Sequence, residues 1–133
     1  MIAEENTLFK VGSNKPLDGI ERGLHEAAAR YQFGIIAIHD LNEMLAKKGV
    51  DLAQQCRVYE VCNPHQAKKV LDADGALSTA LPCRISVYGS PNRYTLATMR
   101  PTEMMKAFAT PSIQAVAREV EDVIVKMMTE AAA

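Results

Sequence analysis

Tryptophan is absent from this sequence, and aromatic residues as a whole make up only 5% of it. A chain that holds nucleic acid needs cations to neutralise phosphates and rings to stack on bases. Here the formal net charge is -1 and the isoelectric point about 6.3, with no basic stripe, so nucleic acid is not an expected partner. Long apolar runs are missing too. Nothing approaches the roughly 20 residues of a membrane-spanning helix, so no membrane partner is expected. The opening MIAEENTLFK holds two glutamates and no apolar run, unlike a secretory leader, and the expected compartment is the cytoplasm. Cysteines number three, an odd count that argues against a disulfide framework and predicts reduced thiols. No Gly-x-Ser-x-Gly elbow, His-Glu-x-x-His helix or glycine-rich phosphate loop occurs. A hydrolase or kinase therefore has no argument in its favour, and whether the chain is an enzyme stays open.

What is present is the make-up of one globular domain spanning residues 1–133, with 48% hydrophobic and 23% charged residues. A chain of this length buries roughly two-thirds of its unfolded surface without staples. Thr7–Ser13 reads as a first strand. Pro16 opens a helix whose apolar stripe is Leu17, Ile20, Leu24, Ala27, Ala28 and Tyr31, with Arg22, Glu26 and Arg30 on the wet side. Residues 35–38 form a second strand that is apolar on both faces, one to be covered by helices and the other by a partner chain. A short helix over 41–48 ends at Gly49. Strand 56–62 stops at Asn63-Pro64, and a helical turn or two over 65–74 follows. Cys83–Tyr88 and Arg93–Met99 read as a hairpin around residues 89–92. After breaks at Pro101 and Pro111, the run Ile113, Val116, Ala117, Val120, Val123, Ile124, Met127 and Met128 predicts a long amphipathic helix. The closing residues 130–133 read as its fraying end. The fold class expected is α+β, an antiparallel sheet with helices packed on one face, ahead of a doubly wound nucleotide fold.

The chemistry-bearing residues gather at one place. If strands 56–62 and 83–88 are antiparallel neighbours, Cys62 and Cys83 share a corner of the sheet, each stiffened by a proline, Pro64 and Pro82. The start of helix 65–74 would favour thiolate there. Three readings compete. The thiols are inert core; or Cys62, His65 and Cys83 hold a zinc or copper ion, from Cys-x-x-His spacing plus a ligand on the next strand; or they form a thiol couple for sulfur transfer or redox work, although the Cys-x-x-Cys arrangement is missing. Glu60 shares a strand face with Cys62 and is either an acid near the thiols or an ordinary partner of Arg57 or Arg84. His25 reads as a surface partner of Glu21, His39 as a local hydrogen-bonding group, and Cys56 as structural.

The strings Val61-Cys62-Asn63-Pro64 and Leu81-Pro82-Cys83-Arg84, with Phe33-Gly34-Ile35 and Met99-x-Pro101, resemble a bacterial family, the domain of unknown function 302. The resemblance runs from about Leu17 through the final helix. It implies a curved antiparallel sheet with helices on one side, like that of the TATA-box-binding protein, and a homodimer. Its motif pair falls on Cys62, Asn63, Pro64, Pro82 and Cys83; His65 departs from the pattern. Some relatives look associated with sulfur metabolism. Together these readings give a small homodimer binding a ligand or metal at the Cys62/Cys83 corner, with a thiol enzyme or sulfur carrier, or a structural interaction domain, as the alternatives.

Overall fold

The computed structural model describes residues 7–108 and 110–133. Five strands, β1 (Leu8–Ser13), β2 (Gly34–Asp40), β3 (Gln55–Cys62), β4 (Cys83–Ser90) and β5 (Arg93–Met99), form one antiparallel sheet in the order β1-β5-β4-β3-β2. The alternation of side chains along β3 explains the layering. Tyr59 and Val61 face the helices and are buried, whereas Val58, Glu60 and Cys62 alternate with them and keep some exposure. Two helices close the buried face, α1 (Leu17–Arg30) and the long C-terminal α5 (Pro111–Ala132), which between them bury Ile20, Leu24, Ala117, Ile124, Met127 and Met128. Thr110 starts α5 by accepting from the amide of Ile113, with Pro111 in the first turn, where a missing N–H costs nothing. The protein is therefore α+β, as its patterning predicts.

Shorter elements fill the connections: α2 (Leu41–Ala46), α3 (Pro64–Ala73), α4 (Pro101–Met104) and two 3-10 turns, Gly75–Thr79 and Lys106–Phe108. The hairpin is tighter than the sequence suggests. Strands β4 and β5 run to Ser90 and resume at Arg93, so only Pro91 and Asn92 turn, with Asn92 at φ 67°. Gly89 lies inside β4 opposite Tyr94, at φ 141°.

The expected fraying of residues 130–133 is corrected. Ala131 and Ala132 are buried. Ser13 Oγ donates to the Ala132 carbonyl at 2.8 Å and Lys15 Nζ to that of Ala131 at 2.9 Å, which satisfies carbonyls that a helix end leaves open. Gly23 lets α1 approach closely here; a methyl group at that position would meet Ala131 Cα at 3.1 Å. Glu130 is tied to Arg30 and Tyr31. Small residues read as weak structure in sequence, yet here their size is what allows docking. No helix among the described residues is long and apolar enough to cross a membrane.

Candidate functional site

A cavity of about 270 Å³ opens where β3 and β4 meet α3. It lies at the seam of two apolar clusters: Phe33, Val61 and Val120 come from the main core, Val70 and Met105 from a smaller one, and Leu81 packs against both. Its side-chain heteroatoms come from Asn63, Gln66, Ser78, the Met105 sulfur and the thiols of Cys62 and Cys83, and no charged side chain lines it. The register explains the meeting of the thiols. Val61 pairs with Cys83 across the β3–β4 ladder, and Cys62 is the next residue, the last of β3. The sequence expectation of one shared corner describes this arrangement. The Leu81–Pro82 peptide bond is cis, and Pro82 joins the cavity wall.

The other expected site residues divide. Asn63 is the N-cap of α3: its Oδ1 accepts from the amides of His65 (3.0 Å) and Gln66 (3.2 Å), and Pro64 occupies the first helical turn. The helix therefore starts at Pro64, one residue before the expected boundary. His65 is exposed and does not line the cavity that holds both thiols, so the three-ligand set Cys62, His65 and Cys83 is not assembled. Among the described residues, no group of three or more His, Cys, Asp or Glu side chains could hold a metal ion. Glu60 does not line the cavity. Its Oε2 lies 2.9 Å from His39 Nε2 and 3.7 Å from Arg84 Nη2, a cross-strand cluster on the helix-free face of the sheet. Arg57 instead turns to the helix side, where its guanidinium reaches Glu21 at 3.1 Å, and Tyr59 Oη donates to the same carboxylate at 2.9 Å. Glu21 is thus committed inward, and His25 stays exposed. Cys56 sits apart, its Sγ 3.9 Å from Ser86 Oγ.

The expectation that a helix start favours thiolate is also corrected. The amides that would stabilise sulfur charge are those of His65 and Gln66, and Asn63 already takes both. Burial then dominates. It pushes the Cys83 thiol up to about 11, with the neighbouring Cys62 adding to the rise, and it raises Cys62 as well. Both thiols are neutral at physiological pH. What this geometry offers is a small apolar hollow, open on one side, with two neutral thiols in its wall.

Residues 9–131 match the protein family described as Domain of unknown function DUF302. The chain belongs to this family. A solved DUF302 structure, the crystal structure of an uncharacterized conserved protein from Bacillus stearothermophilus, is similar with a TM-score of 0.88. It shares 22% identity over 94% of this chain and 98% of that one, a likeness of fold. No functionally curated protein matches the chain. In this DUF302 domain, sequence reasoning located the two thiols and the capping Asn63-Pro64 but missed Gln66, Ala67 and Val70 on α3. The spacing of Ala67, Val70 and Leu71 was the available signal: it marks an apolar edge on an otherwise polar helix.

Proposed function

We propose that this DUF302 domain binds a small, uncharged, largely apolar molecule in the cavity bounded by Cys62 and Cys83. The observation that carries the reading is the chamber itself. Ligand sites are concave and mostly apolar, and this hollow, open to solvent on one side, is lined almost wholly by apolar groups and measures about 270 Å³. An apolar cavity of about 150 Å³ is enough to bind benzene. Zinc or copper at Cys62, His65 and Cys83 has less support, because His65 lies outside the cavity lining and buried neutral thiols must first lose protons. A sulfur carrier or redox enzyme meets the same obstacle, since the thiolate is the reactive form.

The test is binding of toluene to the wild type and to Ala67→Phe, which adds a ring to the cavity wall. Toluene is expected to stabilise the wild type, by about 1.4 kcal/mol when present at ten times its Kd. The filled variant is expected to show no gain. A wild type that takes up no apolar ligand would leave the domain with inert buried cysteines and a structural role.

A second copy of the chain is the partner this reading includes. β2 is an edge strand, and Ile36 and Ile38 on it are 59% and 42% exposed, with Met44 and Val50 exposed nearby. Ile36 also borders the cavity, so a copy seated there would narrow its mouth. Light scattering is expected to give twice the 14.6 kDa of one chain, and Ile38→Lys to return the monomer mass. A monomeric wild type would remove the partner from the proposal and leave the cavity.

A further inference from the structure

The hollow beside Cys62 and Cys83 changes character from its floor to its mouth. Val61, Val70, Cys83 and Met105 in its wall are buried, which places them at the inner end. Ile36 and Leu71 also line it, yet they are 59% and 39% exposed. Large apolar side chains with such exposure number six among the described residues, so two of the six flank this one opening, Ile36 from β2 and Leu71 from α3. Apolar surface therefore runs from the core out to solvent. Hydrogen bonding along the way is scarce. The Gln66 amide donates to Glu119 Oε2 on α5 at 3.0 Å, and its Oε1 is buried without a partner, out of a ligand's reach. Asn63 Oδ1 is engaged in capping.

We infer that the hollow holds the alkyl chain of an amphiphile whose head stays in solvent, with the chain leaving across Leu71 and Ile36. This rests on the reading of the hollow as an apolar ligand site and adds the class of its occupant; only the part inside must be uncharged. Size points the same way. If about 150 Å³ suffices for the ring carbons of benzene, about 270 Å³ has room for roughly ten carbons. A compact ring inside would leave Ile36 and Leu71 wet. A chain of about twelve carbons fills the hollow and covers them too, at about fourfold in affinity per buried methylene. The uncharged wall sets the direction. An ionic head placed inside would surrender its hydration without a counter-ion, so the head faces the mouth.

The experiment measures equilibrium binding of toluene and monomeric dodecanoate to the wild type, to the filled variant Ala67→Phe and to Leu71→Gln. Leu71 is chosen over Ile36, which the second copy would also touch, and glutamine keeps helix propensity while removing apolar surface. Melting curves confirm that both variants fold. Dodecanoate is expected to compete with toluene for the wild type, and Ala67→Phe to bind neither. In Leu71→Gln, dodecanoate is expected to weaken by about fivefold or more and toluene to stay within about twofold. Toluene binding that dodecanoate does not displace would overturn the chain and leave the site to compact molecules. An equal effect of Leu71→Gln on both ligands, or none on either, would also overturn it, because no chain would then cross the mouth. Dodecanoate binding without toluene binding would support the chain and remove the compact molecule. Binding of neither to the folded wild type would remove the ligand site and this inference together.

Discussion

Gly89→Ala will destabilise the fold by about 3 kcal/mol or more. At φ 141° the residue occupies backbone space that side-chain-bearing residues rarely adopt. A methyl group there would stand 2.2 Å from the Arg93 carbonyl oxygen and 3.2 Å from Tyr94 Cα. Both obstacles are backbone, so no rotamer change relieves them. The only escape is to part β4 from β5, and these strands form the middle of the sheet: β1 hangs on β5, while β3 and β2 hang on β4. Tyr94, which pairs with Gly89, is buried and bonded to Gln55 on β3, so the lesion spreads to a third strand. A denaturant titration reads this directly. With a slope of about 1–3 kcal/mol per molar urea, the midpoint is expected to fall by about 1 M or more. A midpoint within error of the wild type would show that the hairpin reaches Arg93 by another path.

Between pH 9 and 11 the wild type will lose stability that Cys83→Ala keeps. The ordinary thiol value is 9.0, and burial takes Cys83 to about 11 in the folded protein. The folded state therefore holds its proton more tightly than the unfolded chain does. The stabilisation is fully present below about pH 9 and is lost as pH rises through 11, amounting to about 2–3 kcal/mol. Tyr59, whose phenol burial also pushes above its usual range, and Cys62 titrate in both proteins, so they cancel in the difference. The alanine variant starts lower at neutral pH, because it enlarges the cavity, and the two stability curves should converge as pH rises. Parallel curves would mean that Cys83 is solvated. The same shift makes the Cys83 thiolate about a hundredfold scarcer at pH 8 than that of an ordinary thiol, so of the three cysteines Cys83 should be alkylated last in the folded protein.

Much of this fold was legible because local and tertiary demands agree. The stripes of α1 and α5 state which faces are buried, and Pro16 and Pro111 mark where those two helices begin, whereas Pro64 and Pro101 read as breaks and also open helices. The meeting of Cys62 and Cys83 was legible for the same reason, since an antiparallel ladder with known strand ends fixes its own corners. What failed was one local cap and whatever is decided by a distant partner. Asn63 takes amides that the thiols were expected to use, and His65 turns outward where it was expected to ligate. Gln66 looks in sequence like any polar residue on a solvated helix; only the position of Glu119, far along the chain, turns its oxygen into an orphan. Glu60 and His39 meet across β2 and β3 because a bulge between Ile35 and Ala37 shifts the register, which periodicity alone does not reveal.

The strand order also bears on how the molecule comes into being on the ribosome. β2, β3 and β4 each pair with the next strand to be synthesised, so three of the sheet's four ladders can zip up as the chain emerges. β1 cannot. It emerges first, yet its register sets Leu8 against Met99, and its only neighbour is β5. Until that strand appears, Phe9 and Val11 have no sheet to complete, and an unpaired apolar strand invites the wrong partner. The seam between β1 and β5 is thus the last of the sheet's ladders to close.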